Sequence, residues 1–292
     1  MDDELREKLN AGSGAYFSAG SLLARIESAC QLIEVYDTPQ WGKLLRLDGC
    51  NMTSEGDEFV YHENLVHPAA LAHAAPQQAL IVGGGDGGAA EELLKHPSIE
   101  RVTLVELDQA VVDVAKKYLQ QVHRGAFGDP RLELKIGDGA AFLRELRSQY
   151  DLIALDLTDP VGPAAALYTV EFFDSCQRAL RPGGALSLHL GSPYYQPERF
   201  RQNLRDLASV FAIVRPYLVF VPIYGALWGF ATAADTLDPR SLSPAQLDTV
   251  ISARRLSDLR YCNGEALHAG FALPVFVEAL ASAGKINEAA RG

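Results

Sequence analysis

Residues 83–88 read Gly-Gly-Gly-Asp-Gly-Gly, directly after Ala79-Leu80-Ile81-Val82 and directly before Ala89-Ala90-Glu91-Glu92-Leu93-Leu94. A buried strand, a glycine turn and a helix start in that order give Gly83, Gly85 and Gly88, spaced G-x-G-x-x-G, their meaning as a nucleotide-type site. Glycine lets the chain turn sharply and a ligand approach the backbone closely. A dinucleotide would set its pyrophosphate at the helix N-terminus, so a protein carboxylate in that turn is unwelcome. Asp86 stands in that turn. Its carboxylate repels phosphate and attracts a cation, so the residues favour a positively charged nucleoside over a nicotinamide dinucleotide.

Three more strand-like runs end in carboxylates. Arg101–Val105 leads into Glu106 and Asp108, Leu132–Ile136 into Gly137-Asp138-Gly139, and Leu152–Leu155 into Asp156-Leu157-Thr158-Asp159-Pro160. Glu106 lies about 20 residues past the glycines, the spacing at which a carboxylate reaches ribose hydroxyls. Asp and Gly also punctuate ordinary turns, but four successive strands ending this way mark the C-terminal edge of an open α/β sheet, where ligands bind.

The elements that must position these residues follow from periodicity. Alternating patterns at Ala29–Asp37 and Trp41–Asp48 flank Thr38-Pro39-Gln40 as a hairpin, and residues from about 12 to 55 read as a small antiparallel sheet. Glu58–Ala74 has helical spacing and ends before Pro76. The spacing therefore predicts an N-terminal β domain with a linking helix over 1–75 and a Rossmann-like domain over 76–292. From Gln77 strands and helices alternate, which predicts a parallel, doubly wound sheet. Its helices are expected at about 88–96, 108–120, 139–147, 168–180 and 197–209, and its later strands at Gly184–Leu190, Ile213–Val221 and Trp228–Ala233. Leu237–Arg255 reads as a polar surface excursion before a last helix at Pro274–Ala283.

A net charge of −11 over 292 residues argues against nucleic acid or an anionic membrane as partner and suits a cationic substrate. Cys30, Cys50, Cys176 and Cys262 are far apart, without metal-like spacing, and read as reduced thiols of a cytoplasmic protein. The charged start Met1-Asp2-Asp3-Glu4 has no apolar core of a signal peptide, and no apolar stretch has transmembrane length.

The motifs together resemble the polyamine aminopropyltransferases, the spermidine, spermine and thermospermine synthases. The resemblance runs from about Gln31 to Leu280 and is carried by Asp57-Glu58-Phe59-Val60-Tyr61-His62-Glu63, by Gly83–Gly88, by Gly137-Asp138-Gly139 and by Asp156–Ala164. Tyr261-Cys262-Asn263, His268 and Phe271-Ala272-Leu273-Pro274 add to it. It implies a small β domain on a Rossmann-like methyltransferase-type domain, and a homodimer or homotetramer. It also implies decarboxylated S-adenosylmethionine as co-substrate, no tightly bound cofactor or metal, and a di- or polyamine as acceptor. By the same resemblance Asp156 is the general base and Asp159 binds the acceptor amine. Asp86 holds the donor's ammonium, Glu106 the ribose, Asp138 with Gly139 the adenine, and Gly83 and Gly85 line the donor. Tyr61 and Tyr224 line the amine channel.

His62 resembles the thermospermine-synthase branch, since spermidine synthases commonly carry Gln there. Met52 stands where a donor-binding Gln is usual, and His189–Pro193 lacks the Gln-rich loop that helps bind putrescine. The donor half of the site matches the family and the acceptor half departs from it, so the expected acceptor is spermidine, giving spermine or thermospermine, with putrescine, giving spermidine, as the runner-up. Competing readings are an S-adenosylmethionine-dependent amine methyltransferase, a nicotinamide oxidoreductase and a non-catalytic relative. Asp86 argues against the first two, and the retained strand-end carboxylates argue against the third.

Overall fold

The computed structural model describes residues 4–159 and 162–286. Met1–Asp3, Pro160, Val161 and 287–292 lie outside them, Pro160 and Val161 of the Asp156–Ala164 motif included.

The chain opens with a hairpin, β1 (Glu4–Lys8) and β2 (Gly14–Ser18). A four-stranded antiparallel sheet follows, from β3 (Ser21–Glu27), β4 (Leu32–Thr38), β5 (Gly42–Leu47) and β6 (Cys50–Ser54) in that spatial order. The β4–β5 pair is the hairpin expected around residues 38–40. The first hairpin escapes a hydrophobicity pattern because Glu-Leu-Arg-Glu-Lys buries Leu5 alone.

Helix α1 (Glu58–Ala72) leads to a seven-stranded sheet. Its parallel part comprises β7 (Gln78–Gly83), β8 (Arg101–Glu106), β9 (Leu132–Ile136), β10 (Tyr150–Asp156) and β11 (Leu180–Gly191). Between these run α2 (Gly88–Leu94), α3 (Gln109–Tyr118), α4 (Gln120–His123), α5 (Gly139–Arg144) and α6 (Val170–Ala179). After β11 come α7 (Pro197–Val210), β12 (Ile213–Val221), β13 (Ala226–Ala234), α8 (Pro244–Ala253), α9 (Gly264–Gly270) and α10 (Val275–Ile286). The strand order is β12-β13-β11-β10-β7-β8-β9, and chain direction reverses its spatial progress between β7 and β10. That switch point opens a crevice at the strand C-termini. The core of β7 is uniformly apolar and buried because helices cover both faces.

The sheet is not parallel throughout. β13 runs antiparallel to both β11 and β12, because the Pro222–Gly225 connection is far too short for a parallel crossover. The stretch expected as a polar excursion contains α8, whose Leu247 packs in a small cluster with Leu71 and Leu267. Among the described residues no single helix is long and apolar enough to cross a membrane.

Helix α1 is buried on almost every side, Glu58, His62, Glu63, Asn64 and His67 included, so its polar groups need partners inside the protein. Pro68 has no N–H to give the Asn64 carbonyl one turn earlier; the Tyr217 hydroxyl donates to that carbonyl instead, at 2.7 Å. His67 bridges His96 at 3.0 Å and Glu92 at 2.9 Å, joining α1 to α2. The Glu63 carboxylate accepts from the backbone N–H groups of Arg260, Tyr261 and Cys262 at 2.6, 3.0 and 2.7 Å. Two sequence signatures almost 200 positions apart are thus two halves of one contact. Glu63→Ala is expected to lower unfolding free energy by about 1–3 kcal/mol, since it strands these donors. Urea titration checks this, and an unchanged midpoint would mean that water replaces the carboxylate at no cost.

Candidate active site

The crevice floor is built by β7, β8 and β10, and its wall by α1. At the end of β7 the chain turns through Gly83 with φ +80°, and the Gly84 N–H donates to the Asp156 carbonyl at 2.9 Å. A side chain at Gly83 would collide with that carbonyl. The turn and the end of β10 are therefore locked together, which sets Asp156 beside the glycine loop. Glu106 closes the other flank, its two oxygens accepting from Gly85 N–H at 3.1 Å and Asp108 N–H at 2.9 Å. Asp138 caps α5 by accepting from Ala140 and Ala141 N–H groups. One carboxylate oxygen thereby has a structural task, and Gly139 packs so closely on Val82 that no side chain fits.

Asp86 and Asp156 meet around His62. The His62 Nε2 lies 3.4 Å from Asp86 Oδ2 and 3.9 Å from Asp156 Oδ2, while Nδ1 is 3.0 Å from Glu58 Oε2. The ring sits over Gly88, where a Cβ would overlap it; the last glycine of the loop makes room for α1's histidine. Burial alone would strip the proton from His62, but Asp86, with Glu58 and Asp156, outweighs it and holds the pKa well above the usual imidazole range. Burial works against an ionised Asp86, yet the His62 charge and the Gly88 N–H keep its carboxyl below the ordinary value. Asp156 shows the opposite balance. Burial, then the charge of Asp86, push its carboxyl up to about 7, and its Oδ2 is buried without a hydrogen-bond partner. A group with a pKa near neutrality and one free oxygen can take a proton from a substrate at physiological pH.

His62, Asp86 and Asp156 bring three ligand-type atoms within 4.8 Å of one another. The imidazolium already supplies part of the positive charge that such a cluster demands. With Glu58 included, and Arg124 3.4 Å from its other oxygen, three carboxylates face two cations, which leaves the pocket attractive to further positive charge.

One flank of the crevice is walled by aromatic rings. Tyr61 contacts Tyr224, His189 and Phe230 with ring centroids 6.1, 6.2 and 5.3 Å apart. The Tyr224 hydroxyl donates to the Met52 carbonyl at 2.9 Å, so Met52 contributes backbone to this wall. Asp57, at the start of α1, accepts from the Ile223 N–H at 2.7 Å and from the Ser54 hydroxyl at 2.5 Å. From the first hairpin, Glu7 accepts from Asn51 N–H at 3.0 Å, and burial raises its carboxyl to about 7.

His189 serves as a brace. The Trp228 indole, which can only donate, points at Nδ1 at 3.3 Å, so the neutral ring carries its proton on Nε2, where the Leu157 carbonyl and the Tyr168 hydroxyl oxygen share it at 2.8 Å each; the Tyr168 hydroxyl in turn donates to the Thr158 carbonyl at 3.2 Å. Burial and the nearby Arg199 charge lower its pKa to about 4, which keeps the ring neutral. It thus holds the loop between Asp156 and Asp159 from below. Asp159 itself is engaged by Arg199 Nη1 at 2.7 Å and by Gln196 Nε2 at 3.3 Å. The structure therefore brings Asp86, Glu106, Asp156, Tyr61 and His62 to one crevice beside Gly83 and Gly85. Glu58, Asp57, Glu7, Tyr168 and Arg199 join them without having been singled out in sequence. Glu58 and Asp57 lay inside the quoted Asp57–Glu63 motif, which was the available signal; Glu7 and Arg199 carried none.

Comparisons with known proteins agree with this geometry. The spermine/spermidine synthase domain matches residues 58–241. The chain is 50% identical over 281 residues to a polyamine aminopropyltransferase of Nitrosomonas europaea, covering 96% of this chain and 86% of that one. It is 38% identical to polyamine aminopropyltransferase 1 of Pseudomonas aeruginosa, covering 94% and 96% of the two chains. A crystal structure of spermidine synthase in complex with the transition-state analogue AdoDATO superposes with TM-score 0.90 at 36% identity, covering 96% of this chain and 94% of that one. The spermidine synthase of Thermotoga maritima gives 0.88 at the same identity and coverage. With the fold, the acidic crevice and these relatives in agreement, the chain belongs to the spermine/spermidine synthase family and is a polyamine aminopropyltransferase.

Proposed function

We propose that the enzyme moves the aminopropyl group of decarboxylated S-adenosylmethionine to an amine longer than putrescine, and releases methylthioadenosine. The observation that carries the reading is Asp156: a buried carboxyl raised to about 7, with an unpartnered oxygen beside Asp86. The acceptor nitrogen attacks the aminopropyl carbon bound to sulfur, the C–S pair leaves with the sulfur, and Asp156 takes the ammonium proton. Asp86 attracts the donor's ammonium, Glu106 faces the ribose, and Asp138–Gly139 faces the adenine. Gly83 and Gly85 let the donor approach the backbone. The similar structure holding AdoDATO supports this donor. Residues 1–75 supply Tyr61, His62 and the Met52 backbone to the acceptor side, and 76–292 supply the donor fold together with Asp156, Asp159 and Tyr224. Incubation with decarboxylated and intact donor separately, following methylthioadenosine against S-adenosylhomocysteine, tests the reading. Release of S-adenosylhomocysteine alone would make the protein a methyltransferase.

On the acceptor side the reading favours spermidine, converted to spermine or thermospermine, over putrescine. Its support is that His189 is occupied beneath the loop and Asp159 is already paired. Product chromatography with putrescine, agmatine, cadaverine and spermidine at equal concentrations is expected to show the highest specificity constant for spermidine. A clear preference for putrescine would make this an ordinary spermidine synthase.

A homodimer or homotetramer and a cytoplasmic setting belong to the same reading. Exposed Leu22, Leu23 and Ile26 on edge strand β3 offer an apolar surface, and all four cysteines are free. Light scattering on the purified enzyme reads the assembly directly.

A further inference from the structure

Arg199 lies in the first turn of α7, where a run such as Pro-Glu-Arg-Phe-Arg-Gln reads as a solvated helix face. Its side chain instead turns inward and is only 15% exposed. Nη1 sits 2.7 Å from Asp159 Oδ2 and 3.4 Å from Gln196 Oε1. The guanidinium carbon lies 5.7 Å from the centre of the Tyr168 ring. Gly191 supplies the floor: a Cβ there would come within 3.3 Å of the guanidinium carbon. Nε and Nη2 are buried without hydrogen-bond partners. Several elements thus converge to hold one guanidinium against one carboxylate oxygen, Asp159 Oδ2.

We infer that Arg199 sets acceptor specificity: by occupying Asp159 it denies that carboxylate to the second ammonium of a short diamine. The inference rests on the reading of Asp156 and Asp159 as the acceptor end of the site. A guanidinium does not lose its proton to make way for a competitor. An ammonium arriving at Asp159 therefore meets a fixed like charge, which disfavours it strongly. Putrescine has one nitrogen to present to Asp156 and one other to anchor, so it bears the whole penalty. A longer acceptor has further nitrogens that can be held away from Arg199. Asp159 keeps its ionised form because, against burial, the Arg199 charge dominates its surroundings. The pair is thus a stable feature of the site before any amine arrives.

The experiment compares wild type, Arg199→Gln and Arg199→Lys at saturating donor, with putrescine and spermidine as acceptors and calorimetry of the donor alone. Arg199→Gln is expected to raise the putrescine-to-spermidine ratio of kcat/KM by about tenfold or more, mainly through a lower KM for putrescine. Arg199→Lys, which keeps a charge beside Asp159, is expected to stay near the wild-type ratio, and donor affinity is expected to stay constant. Adding Asp159→Asn to Arg199→Gln is expected to cancel the gain. A ratio that Arg199→Gln leaves unchanged, or a parallel loss on both acceptors, overturns the inference and makes the pair a loop brace only. Arg199→Met is the substitute if the Gln variant melts early, and is judged by the same ratio. Failure of wild type to release methylthioadenosine with any amine would instead overturn the reading of the reaction itself.

Discussion

Asp156→Asn is expected to lower turnover by about 10²–10⁴-fold at saturating donor and amine. The amide keeps the shape of the group and cannot accept the ammonium proton. Donor affinity should change far less, because Asp86 and Glu106 stay in place. The pH dependence adds a second signature. In the free enzyme Asp156 titrates near 7, for reasons of burial and the neighbouring Asp86. The carboxylate is the active form, so activity is lost as pH falls through that value. A bound sulfonium and ammonium favour the ionised carboxylate and move its pKa down. The acid limb of kcat is accordingly expected at lower pH than the acid limb of kcat/KM for the donor. Stopped-time product assays across pH 5 to 9, roughly the span over which such a group titrates, resolve both limbs. Near-normal turnover in the variant would remove Asp156 from the role of base.

Asp86→Asn is expected to weaken the decarboxylated donor by about 10²-fold and to narrow the preference over intact S-adenosylmethionine. Glu58, Asp86 and Asp156 face the His62 imidazolium, with Arg124 3.4 Å from the far oxygen of Glu58, so acidic groups outnumber cations in the free crevice. The decarboxylated donor brings two cations and no anion. The intact donor brings a carboxylate as well, which must enter beside Asp86 in a poorly hydrated space. Neutralising residue 86 removes much of that conflict and also leaves His62 with Glu58 and Asp156 as its remaining acidic neighbours. Titration calorimetry with both donors, on wild type and variant, reads the effect. Equal wild-type affinities for the two would end the argument from Asp86.

What could be read in the sequence was local. Gly83–Gly88 after an apolar run, and carboxylates at successive strand ends, are patterns within a few positions of one another, and the structure builds strands and turns where they stand. The antiparallel edge was missed, although the strands expected at Ile213–Val221 and Trp228–Ala233 leave six residues between them, too few for a parallel crossover. Partners that meet across the fold were not legible. Arg199 and Glu7 look like ordinary surface charges until Asp159 and Asn51 are beside them. His189 was noted within a departing His189–Pro193 loop, and its ring is engaged by Trp228, the Leu157 carbonyl and the Tyr168 hydroxyl. His62 could be noticed by type, but its charge comes from Glu58, Asp86 and Asp156, which belong to three different elements.

The aromatic wall has a consequence for how the enzyme comes into being. It is fastened by Asp57 to Ile223 and by Tyr224 to Met52, bonds that join residues 166 and 172 positions apart. Loop closure over such separations is slow compared with forming helices and neighbouring strands. A ribosome-bound chain lacking β12 and β13 would carry the glycine turn, Asp86 and Asp156, yet no far side to its crevice. On refolding from urea, far-UV ellipticity should therefore recover before the capacity to turn over amine, with the lag set by the docking of Pro222–Tyr224 onto the beginning of α1.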